Sequence, residues 1–504
     1  MNMDIDVIIP LAGKGTRFEA LSHYHKSLLP YKNKTVLQHI IDSLKKSDHN
    51  LRFIFVVNYK KEKIVDYLKK NLDSEEFVVV EQTEINGPLG AIFACKDHIK
   101  NSFLIHLGDM ILKDNAQFLD FANDFLGIQI VPDFSRWCMV DDELNFYDKP
   151  ITRPKTSKAL SGLYFFKDKD FAIECLNEVF EKEEPLIKAE YQFSQLLKRY
   201  VTKQKFKLLN FGIIDIGNID DFLRINNFNV GRFFNSFQEN EDLFLKKSND
   251  TKLINEYLHL KLLNEKNIYQ FIKIPGKLAL SFQNREIVLQ MEKVGGLPLD
   301  YIYIFKENEL EYYERLFIIL LSELRRVIDV FSYDSEDTSF TNILHSRNLQ
   351  NYLNYMNLID KRSVISHGDY HLGNMLFDQN KIYLIDPHGR VLNCRYYDLA
   401  KLLHSVIYDY NLIKFGLYNI NNSIFLYNEH LKERKLMFIE LLKKYFNDEE
   451  IKQAKIICML LFKTMQPLHK DNAEHVEIFE RIHKKLKSEI DLGNFNIDIF
   501  PSEI

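Results

Sequence analysis

Apolar residues recur along the first half of the chain in two alternating rhythms. Short unbroken runs read as buried strands: VIIPLAG at 7–13, RFIFVVNY at 52–59, EFVVVEQ at 76–82 and SFLIHLGD at 102–109. Between them the spacing changes to that of helices. TVLQHIIDSLKKS at 35–47 places Val36, Leu37, Ile40, Ile41 and Leu44 on one stripe, and KEKIVDYLKKNL at 61–72 forms a second helix. GPLGAIFACKDHI at 87–99 reads as a turn entering a third. Alternation of strand and helix predicts a parallel sheet wrapped by helices.

From about residue 227 the texture changes. NFNVGRFFNSFQENEDLFLKKSND at 227–250 reads as short strands joined by polar turns, INEYLHLKLLNEK at 254–266 as a helix and EIVLQMEKV at 286–294 as a strand. YYERLFIILLSELRRVIDVF at 312–331 is a long amphipathic helix, KIYLIDP at 381–387 is another strand, and helices follow to the end. A boundary is expected near residue 228, giving domains 1–228 and 229–504; no internal repeat is visible. A length of 504 residues fits two or more cores.

Composition narrows the class without naming a chemistry. The chain is 46% hydrophobic and 27% charged with a formal charge of −5, which gives no electrostatic footing for nucleic acid. Cys95, Cys138, Cys175, Cys394 and Cys458 are scattered, with neither a disulfide framework nor metal-ligand spacing, as in a reducing compartment. No apolar run reaches the ~18 residues of a membrane span, and the acidic MNMDIDVIIP start is unlike a signal peptide. A cytoplasmic protein without membrane or nucleic-acid partners is expected; a homo-oligomer is compatible with the sequence.

Two clusters carry candidate chemistry. In the first, a strand runs into Gly13-Lys14-Gly15-Thr16-Arg17. Glycines admit a close approach of backbone amides to a triphosphate, and Arg17 adds a charged fork. This is neither a Walker A loop nor a GxGxxG fingerprint. Lys26 follows in HKSLLP as a cation for a second phosphate. Asp109 ends the strand SFLIHLGD, and Asp215 lies in GIIDIGNIDDF with Asp220 and Asp221 close by. Two carboxylates from separate strands suit Mg²⁺ held between triphosphate and substrate.

PLAGKGTRF, Lys26, LGD, YDKP at 147–150, EYQFSQLL at 190–197 and IDIGNIDDF together resemble the nucleotidylyltransferases that make nucleotide sugars. The resemblance spans about residues 5–228. It implies a Rossmann-like domain that joins a nucleoside monophosphate to a phosphorylated substrate and releases pyrophosphate. Carried over by position, Gly13, Gly15, Thr16 and Arg17 bind the triphosphate, Lys26 stabilises the transition state and Gln82 lies near the base. Asp109 and Asp215 hold Mg²⁺, while Lys149 and Gly162 line the substrate pocket. His25 and Ser27 stand where sugar-specific members usually carry proline, Asp148 where glutamate is common, and HKSLL also resembles cytidylyltransferases that activate phosphocholine.

The second cluster is HGDYHLGN at 367–374 followed by the strand KIYLI and Asp386. Transfer of a phosphoryl group from ATP to a hydroxyl needs a carboxylate near that hydroxyl and metal on the phosphates. Asp369 fits the base, Asn374 and Asp386 the metal pair, and His367, Gly368 and His371 the loop, with a metal-ligand role for His367 and His371 as the alternative. The pattern resembles the aminoglycoside phosphotransferase and choline kinase superfamily, with a protein-kinase-like fold over about 229–504. The resemblance implies a strand lysine in FLKKSND, an ion-pair partner Glu256 on the next helix, an adenine hinge around Met291 and Glu292, and Asp398 on the helix after the metal aspartate. Alternation of Leu243, Leu245 and Lys247 favours Lys247 as that lysine, with Lys246 beside it. His388 replaces the arginine of a DPRG-like element.

The expected fold class is therefore α/β, a Rossmann-like mixed parallel sheet followed by an α+β kinase-like domain. The expected chemistry is a kinase feeding a nucleotidylyltransferase, with Mg²⁺, ATP and either CTP or GTP, toward an activated sugar or sugar-like polyol for surface polysaccharide. Two rivals stand beside it. One is a choline- or ethanolamine-type kinase with a cytidylyltransferase; the other is a metabolite-binding protein with one inactive domain.

Overall fold

A computed structural model describes the chain except residues 1–2, 16–17, 19–21, 74–75, 84–86, 114–118, 120, 132–133, 188, 218, 226–235, 240–242, 284–285, 379 and 421–422, and the side chains at 220, 224, 236–239 and 339. Two compact units emerge, Met1–Asn226 and Asn227–Ile504. The boundary expected near residue 228 falls within 226–235, outside the described residues.

The N-terminal unit is built on a mixed sheet. Its parallel part runs Phe103–His106, Asp4–Leu11, Asn50–Val57 and Phe77–Glu81 in lateral order, with Ile8 opposite Ile54 and Ile105. Lys158–Phe166 then pairs antiparallel with Phe103–His106 through Leu163–Phe166, with Phe125–Ile130 on its other side, and meets Cys138–Val140 at Ala159. The expected alternation holds for the parallel part, because a crossover carrying a helix, Val36–Leu44, Lys61–Asn71 or Gly87–Cys95, joins each of these strands to the next in sequence. The helix Val36–Leu44 buries the stripe Val36, Leu37, Ile40, Ile41 and Leu44, and Thr35 caps it by accepting from the Gln38 amide at 3.1 Å. Asp109 and Gln82 therefore lie just past the C-terminal ends of parallel strands, the edge at which open α/β sheets bind ligands.

The C-terminal unit has two layers of its own. A small antiparallel sheet orders Ser236–Glu239, Leu243–Ser248, Glu286–Glu292 and Ala279–Gln283, with the helix Lys252–Glu265 packed on it through Leu253, Leu260, Ile287, Leu289 and Met291. The remainder is mostly helical, with Leu310–Val330, Tyr397–Val406, Asp448–Met465 and Ala473–Asp491 around buried Phe317, Leu403, Phe462 and Phe479. The hairpin Met375–Asp378 and Lys381–Leu384 pairs Met375 with Leu384, so HGDYHLGN, which enters it, and Asp386, which leaves it, meet at the same open end. Among the described residues no helix is long and apolar enough to cross a membrane.

Candidate active sites

In the N-terminal unit the strand Ile213–Asp215 pairs with Met110–Leu112, so the two candidate metal carboxylates arrive from adjacent segments. The Ile216 amide donates to the Asp109 carbonyl at 2.9 Å, which fixes that register. Lys26 Nζ forms an ion pair with Asp109. Arg136 bridges Asp215 at 3.0 Å and Asp221 at 3.1 Å. Burial pushes the Asp109 carboxyl up, but the charge and hydrogen bond of Lys26 outweigh it and the net shift is downward. Asp215 is raised, first by burial and then by the Asp109 charge, against the Gly217 amide that steadies it. Asp109 and Asp215, which repel each other and draw in Lys26 and Arg136, are the residues of this unit that could hold a hard divalent cation. Among the described residues, no group of three or more His, Cys, Asp or Glu side chains is arranged to hold a metal, so further oxygens would have to come from phosphates and water.

His25, beside Lys26, is held in place. It is buried; its Nδ1 lies 2.8 Å from Ser27 Oγ and its Nε2 lies 3.2 Å from the Gly13 carbonyl. Burial, then the Lys26 charge, holds His25 down at about 3, so it is neutral and serves as a hydrogen-bonding strut. The two departures from proline, His25 and Ser27, thus form one coupled lock between the glycine loop and Lys26. Gly15 carries φ +59° and faces the Lys26 stem. Thr16 and Arg17 lie outside the described residues.

Other motif residues meet away from the carboxylates. Ser194 Oγ donates to Asp148 Oδ2 at 2.8 Å, joining EYQFSQLL to YDKP. The Leu89 amide donates to the Tyr191 carbonyl at 3.2 Å, joining EYQFSQLL to the GPLG turn. Gln82 is buried, and its Nε2 lies 3.4 Å from the Gly87 carbonyl. Gly162 sits at φ +83° with its carbonyl accepting from Leu107, next to the Gly108–Asp109 turn. Lys149 stands beyond the strand Phe146–Asp148 and donates its amide to Trp137; none of its described contacts is to Lys26, Asp109 or Asp215. Arg136 was not foreseen. It lies in a loop with no periodicity, and only the fold carries it to Asp215.

The C-terminal unit assembles a second constellation. Lys246 Nζ donates to Glu256 Oε1 and Oε2 at 2.8 and 2.7 Å and to Asp386 Oδ1 at 2.8 Å. Asn374 Nδ2 donates to the Asp369 carbonyl and Oδ2, each at 3.0 Å, and lies 3.5 Å from the Asp386 carbonyl. Asp369, Asn374, Asp386, Lys246 and Glu256 thus form one continuous chain of contacts. Asp386 adopts φ +55°, a left-handed conformation that surrounding contacts must hold for a non-glycine residue. Glu256 is pushed up to about 7, by burial first and the Asp386 charge second, with Lys246 opposing both. An amide oxygen and a carboxylate, from Asn374 and Asp386, are the hard donors that Mg²⁺ takes.

The loop itself is over-determined. Gly368 has φ +74°, and a Cβ there would meet Asn393 at 2.9 Å. Its amide donates to Asp398 Oδ2 at 3.1 Å, and the His367 amide donates to Tyr269 Oη at 3.1 Å. Burial raises Asp398 to about 6. His371 Nδ1 accepts from the Gly373 amide at 3.1 Å and so shapes the turn, as expected. His388 is exposed, and its amide donates to the His367 carbonyl. Lys401 was not singled out from the sequence, although it stands one helical turn beyond Asp398; its Nζ lies 2.9 Å from Asp369 Oδ1.

One expectation is reversed. Lys247, favoured by alternation with Leu243 and Leu245, is not the residue that meets Glu256. Phe244, Lys246 and Ser248 share the inward face, with Lys246 and Ser248 buried, because the register of Leu243–Ser248 against Glu286–Glu292 sets the opposite parity. Met291 is buried in the small sheet's core beside Leu253 and Leu260, while the Glu292 amide donates to the Gly276 carbonyl at 2.8 Å.

Residues 6–230 match the family model described as nucleotidyl transferase, and residues 333–414 match the model described as phosphotransferase enzyme family. The chain therefore joins a nucleotidyl transferase domain to a domain of the phosphotransferase enzyme family. Bifunctional protein GlmU of Methanocaldococcus jannaschii is 32% identical over 232 residues, 44% of this chain and 54% of that protein. The UTP–glucose-1-phosphate uridylyltransferase AglF of Haloferax volcanii is 30% identical over 112 residues, 22% of this chain and 46% of the relative. The chain spans about half the length of the curated relatives it matches. A solved nucleoside-diphosphate-sugar pyrophosphorylase from Vibrio cholerae RC9 is 19% identical with a TM-score of 0.37, covering 44% of this chain and 99% of that one.

Proposed function

We propose that the chain is a bifunctional transferase in which the C-terminal unit phosphorylates a hydroxyl at the expense of ATP and the N-terminal unit couples the resulting phosphate to a nucleoside monophosphate, releasing pyrophosphate. The product is a nucleotide-activated sugar or sugar-like polyol, a building block for surface polysaccharide made in the cytoplasm. The observation that supports this reading is that each unit brings a buried or half-buried lysine against carboxylates drawn from separate segments. The residues are Lys26, Asp109 and Asp215 in one unit, and Lys246, Glu256, Asn374, Asp386 and Asp369 in the other.

In the C-terminal unit Asp369 orients the acceptor hydroxyl and receives its proton as the new P–O bond forms. Lys246, fixed by Glu256, draws the donor's phosphates toward Asp386. In the N-terminal unit no covalent residue is needed. The substrate phosphate attacks the α-phosphorus in line, Lys26 offsets charge on the oxygens, and Gly13 and Gly15 admit their close approach. Asp109 and Asp215, and Asn374 and Asp386, would hold Mg²⁺, which when bound would neutralise the triphosphate charge. CTP and GTP are the nucleotides of this reading. The HKSLL segment, which resembles that of cytidylyltransferases that activate phosphocholine, keeps an amino alcohol as the second acceptor class.

The test separates the half-reactions. Asp109→Asn is expected to lower pyrophosphate release at least 100-fold and leave ATP-dependent phosphorylation intact, and Asp369→Asn is expected to do the reverse. Both are read by mass spectrometry of products from ATP, CTP or GTP and a panel of alcohols. Loss of both activities in either variant, or of neither, contradicts the assignment.

A further inference from the structure

Arg136 bridges two acids beside the metal pair and takes no part in the phosphate chemistry proposed for its unit. Its Nη2 lies 3.0 Å from Asp215 Oδ2 and its Nη1 lies 3.1 Å from Asp221 Oδ2. The other oxygen of Asp215 accepts from the Gly217 amide at 2.7 Å, and Asp109 Oδ2 is paired with Lys26. The position a Gly217 Cβ would take lies 2.8 Å from Asp215 Oδ1 and 3.7 Å from Asp109 Oδ2, so the two carboxylates converge on one small space. Each of them already faces a cation of the chain. Asp221, on the helix Ile219–Ile225, does not complete a three-ligand set with them, since no such set exists among the described residues. What Asp221 holds is Arg136.

The strengths involved favour exchange over permanent pairing. The Arg136 side chain is 44% exposed, while those of Asp215 and Asp221 are 16% and 17% exposed. Two ion pairs made by so open a guanidinium together hold it by roughly tenfold. If it stays, a divalent ion about 5 Å away is repelled by roughly tenfold even at the dielectric constant of water. By either route a bare cation at Asp109 and Asp215 loses on the order of tenfold in affinity. A triphosphate changes the balance. Arg136 spends one nitrogen on each of two carboxylates, whereas a phosphate group takes both in parallel as a bidentate partner.

Resting on the nucleotidyl transferase reading of this unit, we infer that Arg136 is a counter-ion latch on the metal pair. It occupies Asp215 and Asp221 until the phosphates of the nucleotide draw it away, so the divalent cation settles on Asp109 and Asp215 together with the triphosphate and not ahead of it. Asp221 is the post to which the guanidinium returns once pyrophosphate leaves.

Mn²⁺ serves as the probe for Mg²⁺. Its binding to the full chain is followed by electron paramagnetic resonance without nucleotide and with CTP or GTP, and the part lost in Asp215→Asn is assigned to this pair. Wild type is expected to hold that Mn²⁺ about tenfold more tightly with one of the nucleotides than without. Arg136→Met is expected to tighten Mn²⁺ about tenfold in the nucleotide-free chain and, in the opposite sense, to weaken nucleotide binding about fivefold. Arg136→Lys, which keeps the charge, is expected to leave the nucleotide-free Mn²⁺ affinity within about threefold of wild type. An unchanged or weakened Mn²⁺ affinity in nucleotide-free Arg136→Met overturns the latch. So does Mn²⁺ held by nucleotide-free wild type as tightly as by its nucleotide complex, a result that stands even where Arg136→Met does not fold. Failure of both CTP and GTP to bring any Asp215-dependent Mn²⁺ to wild type overturns the metal assignment of the nucleotidyl transferase reading itself, an outcome distinct from Mn²⁺ that binds too well without nucleotide.

Discussion

Lys246 and Lys247 are chemically identical neighbours, and one residue of strand parity separates a buried three-carboxylate-oxygen contact from the opposite face. Lys246→Met removes the cation that offsets Glu256 and Asp386. It is expected to lower ATP-dependent turnover 100- to 1,000-fold and to destabilise the C-terminal unit by about 3 kcal/mol, because a buried carboxylate is left without its partner. Lys247→Met is expected to change both by little, within about 0.5 kcal/mol. ADP release and thermal unfolding of the two variants check this, and a larger loss at Lys247 would reverse the assignment. The carboxylates and the asparagine were legible from the sequence because HGDxxxxN and a following strand aspartate fix their spacing along the chain. The lysine was not, because apolar alternation cannot tell which face of a half-buried strand looks inward until its partner strand is known.

At the scale of elements, the bulge in Lys158–Phe166 ties two motifs that are distant in sequence. The register of this strand against Phe125–Ile130 shifts between Leu160 and Tyr164, and Gly162 sits within the shift. An alanine Cβ at that position would stand 2.8 Å from a Leu107 methyl, at φ +83°. Gly162→Ala is expected to cost about 1–3 kcal/mol and to displace the Leu107–Asp109 turn. The effect should appear as a lowered unfolding midpoint with a raised KM for the phosphorylated substrate in the pyrophosphate assay. An unchanged KM would uncouple Gly162 from the site. The sequence identified Gly162 only through family resemblance; the bulge that explains it is a property of strand pairing. The helix Val36–Leu44 is the opposite case, since its buried face is the apolar stripe written in its own residues.

At the scale of the molecule, burial of neutral histidines makes stability depend on pH. His25 and His367 are held at about 3, and His106, His259 and His475 at about 4, in each case chiefly by burial, against an ordinary value of 6.5. The unfolded chain binds protons at these positions below pH 6.5 while the folded chain does not, so stability is present above that pH and is lost as pH falls. Each group contributes about 1.4 kcal/mol per pH unit in this window. Asp398, raised to about 6, and Glu256, raised to about 7, act in the opposite sense and favour the folded state as pH falls. Histidines outnumber these carboxyls, so the unfolding midpoint is expected to drop between pH 7 and pH 5. Scanning calorimetry at the two pH values tests the sign, and a flat or rising midpoint contradicts it.

The sequence by itself determined the order of elements, the presence of a nucleotidyl transferase segment and a phosphotransferase segment, and the carboxylates proposed to serve them. Those properties depend on local periodicity and on spacing within a single loop. Tertiary structure decided which lysine enters the kinase-like site, that Arg136 and Lys401 stand against the acids, and that His25 binds the glycine loop. Each of these is a contact between segments far apart along the chain, or a choice of strand face. Such contacts are fixed only when partner elements pack, because pairing register and burial, rather than residue type, decide where a side chain finds its charge.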